Sequence, residues 1–282
     1  GVFYNCSNLT SVSLPACTTV SNYAFENCSN LTSVSLPVCT TVDKYAFRDC
    51  SSLTSINLPA CTSISTGVFY NCSNLTSVSL PACTSIGIAA FNNCTNLTSV
   101  NLPACTSIDA AAFSSCTNLT SVSLPVCETI GHSAFAYCSS LTSINLPACT
   151  TVSNYAFNGC TNLSSISLPA CTTFTSFMFF DCPNLSYILL GVSTLSSSTF
   201  EGDTNLQTIE LPKCTTIGNY AFRSCTNLTK VNFPLYSSTQ LNIFTSCTSL
   251  ADITLGMMTI VSGAFTTYST LQRVKFPSCS TV

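Results

Sequence analysis

Cysteine is the residue type in this chain with the widest chemical repertoire, and it recurs at a fixed spacing. The 282 residues include 21 cysteines. Beginning with Cys6 and Cys17, one follows every 11 residues as far as Cys182. Thiols in such a series can form disulfides, bind a metal ion, attack a substrate as nucleophiles, or fill a packed core. Which of these holds depends on where the fold places them.

A catalytic use of the thiols would need a base nearby, and the sequence holds one histidine, His132. It lies between Gly131 and Ser133, in a variable stretch that another repeat fills with Ser-Asn-Tyr, and this setting is typical of a solvated turn. Cys127 and Glu128 could pair a nucleophile with a base, but Cys127 is one of a series of equivalent cysteines. The sequence has no glycine-rich phosphate loop, no paired catalytic carboxylates and no zinc-helix motif. We therefore predict that the protein is not an enzyme.

The cysteines alternate between two contexts, Phe-x-x-Cys and Leu-Pro-x-Cys, so the true period is 22 residues. A period of this length indicates a solenoid, in which one small unit stacks on the next. Aligned on phenylalanine, the chain contains 13 units, with one residue missing before Phe200 and one before Phe265. We predict a single solenoid over residues 1–282, truncated at both ends, with regular repeats in 1–185 and degenerate repeats in 186–282.

One unit, Leu9 to Asn30, shows which elements should position the cysteines. Leu9, Val12 and Leu14 follow the pattern Leu-x-x-Val-x-Leu, and its last three positions alternate as a half-buried strand does. Pro15 ends the strand because proline cannot donate a ladder hydrogen bond. We predict one short strand per unit in a parallel sheet, with neighbouring strands about 4.8 Å apart.

The pattern Leu9-x-x-Val12-x-Leu14-x-x-Cys17 resembles the leucine-rich repeat consensus, with cysteine at its Asn/Cys position. The companion pattern, Ile/Val followed by Ala-Phe-x-x-Cys-x-x-Leu, is similar to the BspA-like branch of that family. The resemblance covers essentially the whole chain. It implies an α/β, β-rich solenoid whose parallel sheet lines the concave face, in a cell-surface or secreted protein of mucosal bacteria or parasitic protists. It also implies adhesion to, or binding of, an extracellular protein or glycan of a host or neighbouring cell.

Stacked units would place equivalent cysteines one strand spacing apart. Their Cβ atoms would then be about 4.8 Å apart, whereas a disulfide needs about 3.8 Å. The absence of a Cys-x-x-Cys pair argues against a metal site. We therefore predict structural thiols whose weak S–H donors satisfy turn carbonyls, with no metal and no cofactor; disulfides and metal binding stay open as alternatives. The predicted ladders are Cys17, Cys39, Cys61, Cys83, Cys105, Cys127, Cys149 and Cys171, together with Phe25, Phe47, Phe69 and Phe91. Free thiols in such number favour a reducing or anaerobic environment.

The outward strand positions change character along the chain. In the first eight units they are pairs of serine, or of serine and asparagine, from Ser11 and Ser13 to Ser165 and Ser167. The last five units carry aromatic, aliphatic and charged residues among these positions, and we predict that they form a binding patch, with the first eight units mainly a spacer. The predicted patch residues are Tyr187, Leu189, Glu210, Lys230, Asp252, Arg273 and Lys275. The alternative is sequence drift or capping, in which the opposite charges merely pair with one another.

The composition narrows the function further. A formal net charge of −3, with 6% charged residues, gives no electrostatic basis for binding nucleic acid or an anionic membrane. The mean hydropathy is +0.44, yet no apolar run approaches the roughly 20 residues of a spanning helix, so we predict no membrane insertion. Exposed solenoid ends could associate end to end. We predict a non-catalytic recognition or adhesion module. The main alternative is a structural spacer or stalk that displays another domain, and ice binding is disfavoured because the outward residues are mostly Ser and Asn on a concave sheet.

Overall fold

Each repeat forms two short strands because outward hydroxyl residues alternate with inward aliphatic ones. In Leu-Thr-Ser-Val-Ser-Leu, Ser11 and Ser13 are exposed, whereas Val12 between them points inward and is half-buried. In the Cys-Thr-Thr-Val stretch that follows, Thr19 is exposed and Val20 is buried. The Leu-Pro corner separates the two strands, since proline has no N–H to extend a ladder.

The computed structural model forms two compact units. Unit 1 is Gly1–Leu163 with Phe177–Cys182, and unit 2 is Ser164–Ser176 with Pro183–Val282. The residues that the structure describes are 1–175, 177–257, 259–260 and 265–281. The fold is a parallel-sheet β-solenoid of about 12 turns of about 22 residues, which confirms the predicted fold class. Within the described residues, helix is limited to the 3-10 helix Asn242–Phe244.

The longer strand of each turn belongs to what we call the first row. In unit 1 the first row consists of β1 (Ser11–Ser13), β3 (Ser33–Ser35), β5 (Ser55–Asn57), β7 (Ser77–Ser79), β9 (Ser99–Asn101), β11 (Ser121–Ser123) and β13 (Ser143–Asn145). In unit 2 it consists of β15 (Ser165–Leu168), β16 (Tyr187–Leu190), β18 (Thr208–Glu210), β20 (Lys230–Phe233), β21 (Asp252–Leu255) and β22 (Arg273–Lys275). The six strands of unit 2 pair in that order, all parallel.

The shorter strand of each turn belongs to the second row. In unit 1 it consists of β2 (Thr19–Val20), β4 (Thr41–Val42), β6 (Ser63–Ile64), β8 (Ser85–Ile86), β10 (Ser107–Ile108), β12 (Thr129–Ile130) and β14 (Thr151–Val152). In unit 2 it consists of β17 (Thr194–Leu195) and β19 (Thr216–Ile217). In unit 1 these strands form one parallel sheet in which each residue faces its equivalent in the next turn, as Thr19 faces Thr41.

The rest of each turn, which we call the turn row, is a run of tight turns with its own backbone ladder. Phe25 N donates to Ala46 O at 2.8 Å, and Asn27 N donates to Arg48 O at 2.9 Å. Two residues of the run have a left-handed backbone, such as Tyr23 with φ 58° and Asn27 with φ 60°. This conformation lets alternate N–H groups point at the next turn instead of their own.

The interior is filled by identical residues stacked in columns. The rings of Phe25 and Phe47 lie 5.2 Å apart with 3° between their planes, and those of Phe91 and Phe113 lie 5.2 Å apart with 2° between theirs. Leu31 belongs to a parallel column of leucines and is fully buried. Because each turn covers the apolar faces of the turns next to it, the core extends along the stack without needing any long element.

The two missing residues predicted by alignment fall in unit 2, at the corner where Gly191 and Gly256 stand in place of proline. The chain there passes so close to the previous turn that a Cβ on Gly191 would overlap Pro169 O, and one on Gly256 would overlap Pro234 O. Gly191 N donates to Leu168 O at 3.0 Å. Only glycine allows this closer approach, so the corner is completed with one residue fewer.

Candidate functional site

The predicted patch residues lie on five adjacent strands of unit 2 and form two straight lines across the sheet. The first line runs Tyr187, Thr208, Lys230, Asp252, Arg273, and the second runs Leu189, Glu210, Asn232, Thr254, Lys275. At about 4.8 Å per strand, each line is about 20 Å long. The structure therefore brings all seven predicted patch residues onto one face of the first row, and we keep the name patch for them.

Ion pairs fix the charged side chains of the patch. Arg273 lies directly opposite Asp252, and its Nη2 is 2.8 Å from Oδ2 of that carboxylate. Lys230 reaches diagonally to Glu210, with Nζ 3.8 Å from Oε1. Asn232 Nδ2 donates to the other oxygen of Glu210 at 3.4 Å. The cross-strand pairing that the drift alternative requires is thus present, and it also holds these groups in a defined arrangement.

The Tyr187 side chain of the patch also interacts with Glu210. Burial raises the pKa of the Tyr187 hydroxyl above its usual value, and the charge of Glu210 and a hydrogen bond with it add to the rise. Tyr187 and Leu189 are both half-buried on β16. Lys275 is exposed and has no ion-pair partner among the residues the structure describes, so its charge remains available to a partner.

The first row of unit 1 offers a different surface. Its outward residues are exposed serines and asparagines, such as Ser55 and Asn57 of β5. The threonine before each strand is engaged internally: Thr76 Oγ1 donates to Thr54 O at 3.0 Å, and most of its equivalents repeat this bond. Short hydroxyl side chains in this arrangement give little area for a specific contact.

The cysteines form two regular ladders, as the spacing predicted, and their thiols donate to carbonyls in two ways. In the Leu-Pro-x-Cys ladder the acceptor is in the same turn, as from Cys105 Sγ to Ser107 O at 3.2 Å. In the Phe-x-x-Cys ladder the acceptor is the phenylalanine of the previous turn, as from Cys94 Sγ to Phe69 O at 3.2 Å. All 21 cysteines lie within the described residues, and none of them forms a disulfide. The second mode ties consecutive turns together and was not foreseen from the sequence.

This setting makes the thiols poor nucleophiles. Burial raises the pKa of Cys127 to about 12, and its Sγ donates to Thr129 O at 3.3 Å. A nucleophilic cysteine needs the opposite, a lowered pKa and an accessible sulfur. His132 is exposed, and its ring meets that of Tyr155 edge-on at 5.6 Å. In the described part of the chain, no three His, Cys, Asp or Glu residues come together as a metal site.

A hollow of about 440 Å³ opens beside the 3-10 helix of unit 2 and is lined by Leu241, Phe244, Cys247 and Tyr268, among others. Burial raises the pKa of Cys247 to about 12 and also raises that of Tyr268. Tyr268 Oη donates to Leu241 O at 3.3 Å, so this hydroxyl is already engaged. Among the described residues that line the hollow, none is therefore a group able to exchange protons near neutral pH.

A second group of charged residues lies on the turn row of unit 1, around Arg48. The Arg48 guanidinium lies 5.6 Å from the ring centres of Tyr45 and of Tyr70. It is also 3.4 Å from Glu26 and 3.2 Å from Asp49. This arrangement fastens neighbouring turns to one another, and the Arg48 guanidinium is shared between two carboxylates and two rings.

Sequence reasoning missed the aromatic residues of the turn row, among them Tyr137, Tyr155, Phe177 and Phe180. They do not alternate in a way that marks a strand, and Tyr137 and Tyr155 are placed by left-handed backbone positions rather than by hydrophobic spacing. The available signal was the recurrence of Asn, Asp or Gly two residues after most of the core phenylalanines, since these residues favour a left-handed backbone.

None of the helices among the described residues is long and apolar enough to cross a membrane.

Solved structures similar to this chain are leucine-rich repeat proteins. One is a leucine-rich repeat protein from Bacteroides ovatus, 22% identical over 94% of this chain and 92% of its own, with a TM-score of 0.49. Another is a leucine-rich cell-surface protein from Faecalibacterium prausnitzii, 22% identical over 95% of this chain and 79% of its own, with a TM-score of 0.47. The Toll–Spätzle complex of Drosophila matches with 17% identity over 90% of this chain and 37% of that chain, with a TM-score of 0.55.

The search of curated proteins returned no match to the sequence. The family profile described as BspA type leucine rich repeat region (6 copies) matches residues 1–120, 84–202 and 193–282. These matches extend from the first residue to the last and agree with the 22-residue turns and their Leu, Phe and Cys columns. The chain therefore belongs to the BspA-type leucine-rich repeat family.

Proposed function

We propose that this protein is a non-catalytic recognition module, displayed at a cell surface or secreted, that binds an extracellular protein or glycan through the patch. The observation that carries the proposal is the abrupt change of the outward residues in the first row. Five consecutive strands of unit 2 replace small hydroxyls with Tyr187, Leu189 and fixed charges. Aromatic and charged side chains that are already held in place lose little freedom on binding, so they make efficient contacts.

Membership of the BspA-type family supports this role, because the family resemblance implies adhesion outside the cell. The solenoid fold is generally non-enzymatic, and no catalytic family is indicated. The buried thiols, with pKa values raised as at Cys127, support the same proposal that the protein is not an enzyme. Toll, which shares the fold, was solved in complex with Spätzle.

A structural spacer is the second candidate, and the uniform Ser and Asn surface of unit 1 favours it. The two roles are compatible within one chain if unit 1 sets a distance and unit 2 binds. They differ in what the isolated chain does, because a spacer alone has no ligand.

The test is binding of the full chain to epithelial cell surfaces, to immobilised matrix proteins and to a glycan panel, under reducing conditions. A patch variant changes Tyr187, Glu210, Lys230, Asp252 and Arg273 to Ser. We expect the dissociation constant of the bound partner to rise by about a hundredfold or more, because several central contacts are lost together. Thermal unfolding of the variant should show that both units remain folded.

A matched control variant changes five serines at the first outward strand position of unit 1 to Ala. These are Ser55, Ser77, Ser99, Ser121 and Ser143. The control should bind as the wild type does. Equal binding by the wild type and the patch variant would move the site off the patch, and absence of any binding would favour the spacer.

A further inference from the structure

A second candidate surface lies in unit 1, on the turn row rather than on the strands. We define the aromatic cluster as His132, Tyr137, Tyr155, Phe177 and Phe180. The Tyr155 ring stacks on Phe177 at 5.3 Å and meets the edges of His132 at 5.6 Å and Phe180 at 6.3 Å. None of these rings belongs to the buried phenylalanine column, which passes through Phe135 and Phe157.

The cluster is held in register by the backbone of three consecutive turns. Tyr137 N donates to Asn158 O at 2.6 Å, and Gly159 N donates to Phe180 O at 3.0 Å. Gly159 matters here because the Tyr137 ring rests against it: a Cβ at this position would lie 2.6 Å from Cδ1 of the ring. The rings are thus positioned by the solenoid and not by a flexible loop.

Core packing does not explain these rings, because they face solvent. Tyr137 is 53% exposed, Phe177 46% and Phe180 57%. Exposed aromatic side chains grouped on three consecutive turns are typical of a binding site.

The backbone adds an independent observation. Tyr137 holds a φ value of 61°, in the left-handed region that bulky residues avoid. Other turns place Asn27, Asn93 or Gly159 at the position of Tyr137, and those residues fit the conformation better. A ring kept at a strained and exposed position contributes little to folding, which points to a role outside the fold.

The chemistry around the rings indicates what they bind. Residues 129–180 contain no Asp, Glu, Lys or Arg, and the acidic residues that flank the cluster are the exposed Asp181, which follows Phe180, and the exposed Asp109, one turn before Gly131. Carboxylates repel an anionic ligand but accept hydrogen bonds from neutral hydroxyls. The other polar groups of this surface are amides and hydroxyls, such as those of Asn154, Asn158 and Ser133. A neutral sugar matches this surface, because its C–H faces pack on aromatic rings while its hydroxyls bond to amides and hydroxyls. We propose that the aromatic cluster is a binding site for a neutral oligosaccharide.

This site goes beyond the proposed function, since it lies in a different unit from the patch and uses different chemistry. The test uses the full chain, reduced, with short neutral oligomers of N-acetylglucosamine, galactose and mannose, and with sialylated and sulfated counterparts. His132 is the one histidine of the chain, so the proton NMR signals of its imidazole report on this cluster alone. We expect at least one neutral oligomer to shift them in a saturable way.

The double variant Tyr137→Asn, Phe180→Asn should raise the dissociation constant of that oligomer by about tenfold or more, because two ring contacts are lost. Its melting temperature should not fall, since asparagine suits the left-handed position of Tyr137. The matched control is Tyr23→Asn, which removes a 42% exposed tyrosine of φ 58° outside the cluster and should leave binding unchanged. The patch variant should also bind the oligomer normally, which separates this proposal from the first.

Several results would overturn the proposal. They are an imidazole signal that no neutral oligomer shifts, binding restricted to the sialylated or sulfated probes, and an equal loss in the Tyr23→Asn control. Sedimentation velocity tests whether a second copy of the chain occupies the cluster. Self-association that the double variant abolishes would show that it does.

Discussion

Two residues in most turns hold a left-handed backbone, and their side chains decide how well the turn row fits. Two residues after the core phenylalanine the chain uses Asp49, Asn71 and Asn93 in successive turns, and these side chains join in a ladder. Asn71 Nδ2 donates to Asp49 Oδ1 at 2.7 Å, and Asn93 Nδ2 donates to Asn71 Oδ1 at 2.6 Å. The next turn has Ser115 with φ 62°, where the ladder stops.

The change Ser115→Asn should extend that ladder and stabilise the protein. Asparagine tolerates the left-handed backbone better than serine, and its amide can donate to the Asn93 side chain. We expect the free energy of unfolding, from urea titration, to rise by about 1 kcal/mol. The control is Ser123→Asn in strand β11, at the position where other turns already carry Asn101 or Asn145, and it should be neutral. A loss of stability at Ser115 would show that the ladder is not favourable.

At the scale of the element, the phenylalanine column is the largest repeated apolar contact. Phe91 lies between Phe69 at 5.1 Å and Phe113 at 5.2 Å and is fully buried. Phe3 stacks on Phe25 at 5.0 Å and remains 38% exposed. The same residue type therefore occurs with full and with partial burial in one column.

The change Phe91→Ala should lower the free energy of unfolding by about 3–5 kcal/mol, because it removes a buried ring and leaves a cavity. The change Phe3→Ala should cost clearly less, about 1–2 kcal/mol, since much of that ring already contacts water. Urea titration by circular dichroism measures both values. Equal losses would mean that the column does not stabilise the stack through burial.

The first row was predictable because Leu9, Val12 and Leu14 alternate with serine over enough residues to define two faces. The second row was not, since a two-residue strand such as β2 is too short to show a period. The turn row was not predicted either, because its hydrogen bonds depend on residues with a left-handed backbone. The composition indicates that such residues are present but does not show at which positions they lie. The patch was predictable because its outward residues depart from the Ser and Asn of the regular repeats. Its ion pairs could not be predicted without the strand register, because Tyr187 pairs with Thr208, which is 21 residues later instead of the usual 22.

At the scale of the whole molecule, the thiols act together. Burial raises the pKa of Cys72, Cys94 and Cys138 well above the ordinary value of 9.0, and many of the other cysteines shift in the same direction. Because the folded pKa is higher, the unfolded chain releases these protons first as the pH rises. The stability that the neutral thiols contribute is therefore complete below about pH 8 and is lost as the pH rises from there toward the folded pKa.

The free energy of unfolding should therefore fall steeply at alkaline pH. Above pH 9 each buried thiol lowers the free energy of unfolding by about 1.4 kcal/mol per pH unit, and the contributions add. Urea midpoints at pH 7, 8, 9 and 10, measured with a reductant present, should be level at first and then fall sharply. The variant Cys94→Ala should show a slightly shallower fall, by the share of one thiol. A midpoint that stays constant to pH 10 would contradict the linkage.

The register of the second row allows the number of turns to change by recombination within the gene. Each residue of a turn meets its own equivalent one turn away, as Thr19 meets Thr41 and Thr41 meets Ser63. Recombination between two repeats in phase would insert or delete a complete turn, and every phenylalanine and cysteine at the junction would still find a matching neighbour. The number of turns before the aromatic cluster can therefore change, while the sequences that carry the cluster and the patch are inherited intact.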